Sequence, residues 1–194
     1  MTAYDAVLLA GGRAERLGGV DKPALEVGGV TLLDRVLATV AGATRRIVVG
    51  PGGYPTAAYI RTGEQPPGGG PVAAVAAGLD HVSAPLVIVL AADLPFLTSV
   101  TVDLLLAAVV PGVDAAVLVD DGDRDQLLVA AWRTAVLRSR IKTLGDPSGQ
   151  PARRLFETVA AARVPAPPAP GQPPPWLDCD TEDELRKARE WRYS

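Results

Sequence analysis

Cysteine and histidine are nearly absent: the 194-residue chain has one of each, Cys179 and His81. A single cysteine excludes an internal disulfide and a thiolate metal cluster, and a single histidine excludes a multi-histidine zinc site. Oxygen ligands must then hold any metal, which points to Mg2+ and a cytoplasmic setting. Long hydrophobic runs are missing as well. Leu86 to Ala92 reaches seven residues, against the roughly 18 a membrane helix needs, so no membrane partner is expected. No basic segment precedes the first apolar stretch, and a secretory leader is not expected. Positive charge is not in excess: 19 Lys and Arg stand against 22 Asp and Glu, a net charge of −3. Nothing in that balance favours nucleic acid or an anionic surface.

What is present is 48% hydrophobic residues with 20 glycines and 18 prolines. That length and composition fit one globular domain spanning residues 1–194. Short β-branched runs read as strands at Ala6–Ala10, Arg46–Gly50, Leu86–Ala92, Ala115–Val119 and Leu127–Trp132. Stretches of helical spacing lie between and after them: Thr31–Ala41, Val72–His81, Ser99–Val110, Ala135–Leu144, Ala152–Ala162 and Thr181–Trp191. Thr31 with Asp34, and Thr181 with Glu184, have capping-box spacing. The alternation predicts βαβ units in an α/β fold, a three-layer α/β/α arrangement around a mainly parallel sheet. Gly28-Gly29 reads as a tight turn in a small hairpin or a helix-entry elbow. Seven prolines in Pro165–Pro175 read as an extended surface crossover leading to a last strand and helix.

The most informative stretch runs from Leu8 to Pro23. An apolar strand enters Gly11-Gly12 and then a polar turn carrying Arg13, Arg16 and Lys22. Glycines admit close approach of backbone N–H groups to an anion, and successive N–H groups form an anion-binding nest. The three cations in ten residues suit a polyphosphate and are more than a turn requires. The Walker and dinucleotide fingerprints are both excluded, because neither Gly-Lys-Ser/Thr nor Gly-x-Gly-x-x-Gly occurs here. Asp93 follows a seven-residue apolar strand, which puts a carboxylate at a sheet edge where it needs a cation or a helix to cap. Thr98 or Ser99 is the better cap for the next helix, which leaves Asp93 as a metal ligand or as part of a structural turn. Gly68-Gly69-Gly70-Pro71 opens an alanine-rich helix, with Pro71 at the first helical position. Asp120-Asp121-Gly122-Asp123 reads as a solvated hairpin turn. His81 reads as a surface or capping residue, Cys179 as a small buried filler and Trp132 as core.

Leu-Ala-Gly-Gly, then Arg-x-x-Arg-Leu-Gly, then Asp-Lys-Pro resembles the loop of the nucleotidyltransferases that include the molybdenum-cofactor guanylyltransferases. Gly69-Gly70-Pro71-Val72-Ala73-Ala74 is similar to that family's Gly-Pro-Leu-Ala-Gly helix start. Ala92-Asp93-Leu94-Pro95-Phe96-Leu97 is similar to its Cys-Asp-x-Pro-x-Leu metal segment. Asp178-Cys179-Asp180-Thr181-Glu182-Asp183-Glu184-Leu185 resembles its closing Asp-x-Asn-Thr-Pro-Glu-Asp-Leu, without the proline after Thr181. The resemblance implies a Rossmann-like, nucleotide-diphospho-sugar-transferase-like fold. It implies transfer of a nucleotide from an NTP, in the first instance GTP, to a phosphorylated acceptor such as molybdopterin, releasing pyrophosphate.

On that reading Leu9, Ala10, Gly11, Gly12 and Arg13 contact the nucleotide, and backbone N–H groups of Ala10 to Gly12 cradle it. Arg16, with Arg13, holds the departing pyrophosphate, and Lys22 neutralises the α-phosphate. Asp93 holds Mg2+, and Asp180 is either its second ligand or a helix N-terminal charge. Gly70 opens the ligand-facing helix. The family reads the base just before this segment, with an aspartate in its guanine-specific members. Here Gln65 stands at that place, and Glu64 beside it could supply the carboxylate. Transient contact with cofactor-biosynthesis proteins is a further expectation. Two alternatives stay open: the same chemistry with CTP or a sugar phosphate, and a nucleotide-binding partner protein without turnover.

Overall fold

The computed structural model describes residues 2–11, 22–51, 58–166, 168, 171 and 173–191. Gly12, Arg13 and Arg16 lie outside the described residues, so their expected roles carry no structural account. In chain order the elements are β1 (Tyr4–Leu9), a 3-10 turn (Lys22–Ala24), β2 (Glu26–Val27), β3 (Val30–Thr31), α1 (Leu32–Thr39), β4 (Arg46–Val49) and β5 (Ile60–Thr62). They continue as α2 (Pro71–Leu79), β6 (Leu86–Ala91), α3 (Ser99–Ala108), β7 (Ala115–Val119), β8 (Asp125–Arg133), α4 (Thr134–Leu144), α5 (Arg153–Phe156), β9 (Ala161–Pro165) and α6 (Glu182–Glu190).

Seven strands form one sheet in the order β5-β4-β1-β6-β8-β7-β9. β8 pairs antiparallel with both β6 and β7, while the other pairings are parallel. Side-chain alternation along these strands feeds two cores. On one face Ala6, Leu8, Val48, Ile88, Leu90 and Leu118 pack with Leu33, Val36 and Leu37 of α1 and Val102 and Leu105 of α3. On the other, Val7, Leu9, Val49, Val87, Val89 and Trp132 pack with Val72, Val75 and Leu79 of α2 and Leu137 of α4. Strands buried on both faces explain why β1 and β6 read as unbroken apolar runs. The predicted three-layer α/β/α fold is the observed one.

Gly28 and Gly29, both at positive φ, turn the β2–β3 hairpin, and Thr31 then caps α1. Thr31 Oγ1 accepts from Asp34 N and also donates to Asp34 Oδ2, so Asp34 bonds the cap's side chain. The Thr181–Glu184 capping box forms in full at α6.

Three expectations need correction. Helix Ala152–Ala162 is a single turn, α5, followed by edge strand β9. Thr158 at φ 61° breaks the helix, and pairing of Ala161–Pro165 with β7 outweighs the helical preference of its alanines. The proline-rich crossover leads to α6 with no strand after it among the described residues, and its Pro173 and Pro175 are buried. The Asp120–Asp123 turn is not solvated throughout. Asp120 is buried and its carboxylate accepts from Gly122 N, Arg124 N, Arg124 Nε and Gln126 Nε2.

A third, smaller cluster joins Val27 and Leu32 to Phe96, Cys179, Leu185 and Ala188. It fastens α6 and the segment before it beside the β2–β3 hairpin, with Arg189 Nε donating to Glu26 O at 2.9 Å. The end of the chain is thereby brought back to the segment that follows β1.

Candidate active site

The carboxyl ends of β5, β4, β1 and β6 lie side by side, the edge at which open α/β sheets take ligands. Glu64 follows β5, Gly50 follows β4, Ala10-Gly11 follow β1 and Asp93 follows β6. The register is held at that edge by backbone bonds. Ala92 N–H donates to Leu9 O at 3.1 Å and Gly50 N–H to Thr62 O at 3.1 Å. Ala10 N–H donates to Val49 O at 2.7 Å. The Ala10 amide is therefore committed to the sheet and is not free for an anion cradle, contrary to the expectation from sequence.

Gly50 is a residue the sequence reading passed over. Its φ is 153°, and a Cβ there would lie 2.6 Å from Ala10 C and 2.7 Å from Gly11 N. Only glycine lets the end of β4 press against the start of the loop after β1. A glycine closing an apolar run was the available signal, but sequence shows neither its φ nor any contact between strand ends.

Lys22 is the centre of the site. Its ammonium donates to Asp93 Oδ2 at 2.5 Å and also to Asp180 Oδ1. Burial alone would lower the Lys22 pKa, but the Asp93 charge and hydrogen bonds to Asp180 and Asp93 outweigh it and hold the ammonium above its ordinary value. The Lys22 side chain is 13% exposed, Asp93 22% and Asp180 54%, so the Lys22–Asp93 contact is shielded while Asp180 faces solvent. The structure thus joins three residues singled out in sequence. Asp93 does not cap α3; that task falls to Thr98, whose side chain accepts from Thr101 N.

Asp178 is half-buried two residues before Asp180. Burial, then the charges of Asp180 and Asp93, push its pKa up. Cys179 between them is fully buried, and burial pushes its thiol up to about 12. It is the expected filler and no nucleophile.

Glu64 and Gln65 point to different surroundings. A Cβ on Gly11 would lie 3.8 Å from Glu64 Oε1, and one on Gly69 3.4 Å from Glu64 Oε2. The Glu64 carboxylate therefore sits between the two glycine segments, and its Oε2 is buried without a hydrogen-bond partner among the described residues. Gln65 is exposed and lines a separate cavity of about 640 Å³ with Thr62, Ala77, Arg138, Ile141 and Lys142. None of Lys22, Asp93 or Asp180 reaches that cavity. Gly70 is the N-cap of α2 and Pro71 its first residue. A Cβ on Gly69 would meet Ala73 Cβ at 2.8 Å, so the helix start is tightly closed over Glu64.

The carboxylates fit a hard divalent cation. Asp93 Oδ1 is buried with no partner among the described residues, and oxygen donors with few protein ligands suit Mg2+. No group of three or more His, Cys, Asp or Glu side chains among the described residues is arranged around a metal position. Among the described residues Asp93 and Asp180 are the side chains that would hold the ion, with phosphate and water as further ligands. No helix among the described residues is long and apolar enough to cross a membrane.

A family model described as MobA-like NTP transferase domain matches residues 6–164. The chain is 31% identical over 197 residues to a molybdenum cofactor guanylyltransferase of Bradyrhizobium sp. strain ORS 278, covering 96% of this chain and 92% of that one. Among solved structures it superposes on 2-C-methyl-D-erythritol 4-phosphate cytidylyltransferase from Thermus thermophilus with a TM-score of 0.73, 21% identity and coverage of 97% and 98%. It also superposes on molybdopterin-guanine dinucleotide biosynthesis protein A from Archaeoglobus fulgidus, with a TM-score of 0.71, 18% identity and coverage of 96% and 97%. At those identities the structural matches speak for the fold alone.

Proposed function

Since the chain belongs to the MobA-like NTP transferase domain family, we propose that it moves a guanylyl group from GTP to the phosphate of a molybdopterin-type acceptor, with Mg2+, releasing pyrophosphate. The observation that carries the choice of base is the buried, unpartnered Oε2 of Glu64 between Gly11 and Gly69. A desolvated carboxylate left without a donor is costly. Guanine offers two adjacent donors, N1–H and the exocyclic amine, to a group that only accepts. Gln65 carries both donors and acceptors, lies in the side cavity and takes no part in this reading.

The chemistry requires no nucleophilic side chain. An oxygen of the acceptor phosphate bonds to the α-phosphorus of GTP as the bond to the bridging oxygen breaks, and pyrophosphate carries that electron pair away. Catalysis of this kind is positioning and charge neutralisation. Gly11 and Gly50 shape the backbone against which the nucleotide lies. Asp93 and Asp180 would hold Mg2+, which when bound draws negative charge from phosphate oxygens and eases the departure of pyrophosphate. Lys22 places one positive charge beside the same oxygens. Arg13 and Arg16 take the leaving pyrophosphate.

Thermal melting in the presence of Mg2+ and GTP, CTP or UTP tests the base reading. A ligand at 100 times its Kd adds about 2.7 kcal/mol of stability. GTP should raise Tm more than CTP or UTP at equal concentration. An equal or larger rise with CTP would replace this reading with a cytidylyltransferase.

A further inference from the structure

We propose that Lys22 is the resident counter-ion of the Asp93–Asp180 pair in the ligand-free protein, and that it gives up this place to a divalent cation and moves to the triphosphate. The inference rests on the metal role given to the two carboxylates above.

A single nitrogen, Lys22 Nζ, contacts Asp93 Oδ2 and Asp180 Oδ1 at once. Those carboxylates lie 71 and 158 residues from Lys22 in sequence, and like charges brought together need a cation nearby. The ammonium supplies it. Nζ lies between the two carboxylates that would hold a divalent ion, so the ammonium and the ion compete for them. One ammonium leaves the pair with one negative charge; a divalent ion neutralises both and frees the lysine. Lysine suits such an exchange better than arginine would, being a compact charge on a flexible four-carbon stem. The metal alone therefore competes with an internal cation and binds weakly. Nucleotide gives the displaced ammonium a new partner, so metal and nucleotide binding reinforce one another through Lys22.

Mn2+ alone is the probe, its free concentration read by electron paramagnetic resonance with no nucleotide present. Lys22→Gln should bind Mn2+ roughly tenfold more tightly than the wild type, since one competing charge is gone. Asp93→Asn should lose the ion. Far-UV circular dichroism melts establish that each variant is folded. A second measurement needs no variant: reductive methylation of the wild type, followed by mass spectrometry, should label Lys22 slowly in metal-free buffer and severalfold faster with Mn2+. Unchanged or weaker Mn2+ binding in Lys22→Gln, or Lys22 labelling indifferent to Mn2+, overturns the proposal. If Asp93→Asn still loses the ion in that case, the metal role of the carboxylates survives. If neither the wild type nor Lys22→Gln binds Mn2+, both fall.

Discussion

Lys22 Nζ stands 2.5 Å from Asp93 Oδ2, joining the segment after the first strand to the residue just past the sheet's central strand β6. Loss of either side chain should slow turnover far more than it harms the fold, because neither is part of a hydrophobic cluster. Lys22→Ala and Asp93→Asn should each lower kcat by roughly 10²–10³-fold, the range for removing one preorganised charge-stabilising group. Chelation of divalent metal should abolish turnover in all three proteins. Wild-type kcat in Asp93→Asn would remove the residue from the mechanism.

Glu64→Gln replaces a pure acceptor by a group that also donates. Hydrogen bonds to a charged partner contribute about 1.5–3 kcal/mol, so GTP affinity should fall by roughly 10–100-fold. Gln65→Ala should leave it nearly unchanged. Isothermal titration of both variants checks the pair, and the reverse order would move base recognition to Gln65.

These two residues also mark how far sequence could reach. The glycines at 11 and 68–70, the carboxylate at 93 and the capping box at Thr181 were legible because each depends on local chemistry. Which of Glu64 and Gln65 faces inward was not, since it depends on how β5 adds to β4 and how closely Gly69 packs on Ala73. Nor was the Lys22–Asp93–Asp180 junction, which exists because the cluster of Val27, Leu32, Phe96 and Leu185 folds the end of the chain back. Strands β5 and β9 escaped notice for a related reason: each is a short edge strand defined by its neighbour. The Ala10 amide looked available in sequence and is taken by Val49.

Asp120 should make stability depend on pH. The Arg124 backbone N–H lowers its pKa, burial works against that, and the Arg124 side chain and Gly122 N–H lower it further; the net direction is down. A carboxyl whose folded pKa lies below its unfolded value contributes stability above the unfolded value, and loses it as pH falls through the folded one. Wild type should therefore melt higher than Asp120→Asn at pH 7, and the gap should close below the ordinary carboxylate range near pH 4. A gap that stays constant with pH would contradict the assignment.

Asp5 is fully buried at the opposite end of the sheet. Its carboxylate accepts from Arg45 N at 2.9 Å, Ser83 N at 2.6 Å and Ala84 N at 2.9 Å, tying the starts of β4 and β6 to β1. Asp5→Ala leaves three backbone donors without their acceptor, of which Ala84 N–H is buried, and should cost about 1–3 kcal/mol, read as a lower urea midpoint with an unchanged m-value. Nucleotide affinity of the folded protein should not change. A midpoint within error of the wild type would show that the clamp is dispensable.

Pyrophosphate release, followed with Mg2+ and a molybdopterin acceptor and either GTP or CTP as donor, tests guanylyl transfer most directly. Pyrophosphate should accumulate with GTP at least about tenfold faster than with CTP, the discrimination expected when one buried acceptor meets its donors. Release that is as fast with CTP, or no release with any donor while GTP still binds, would contradict it.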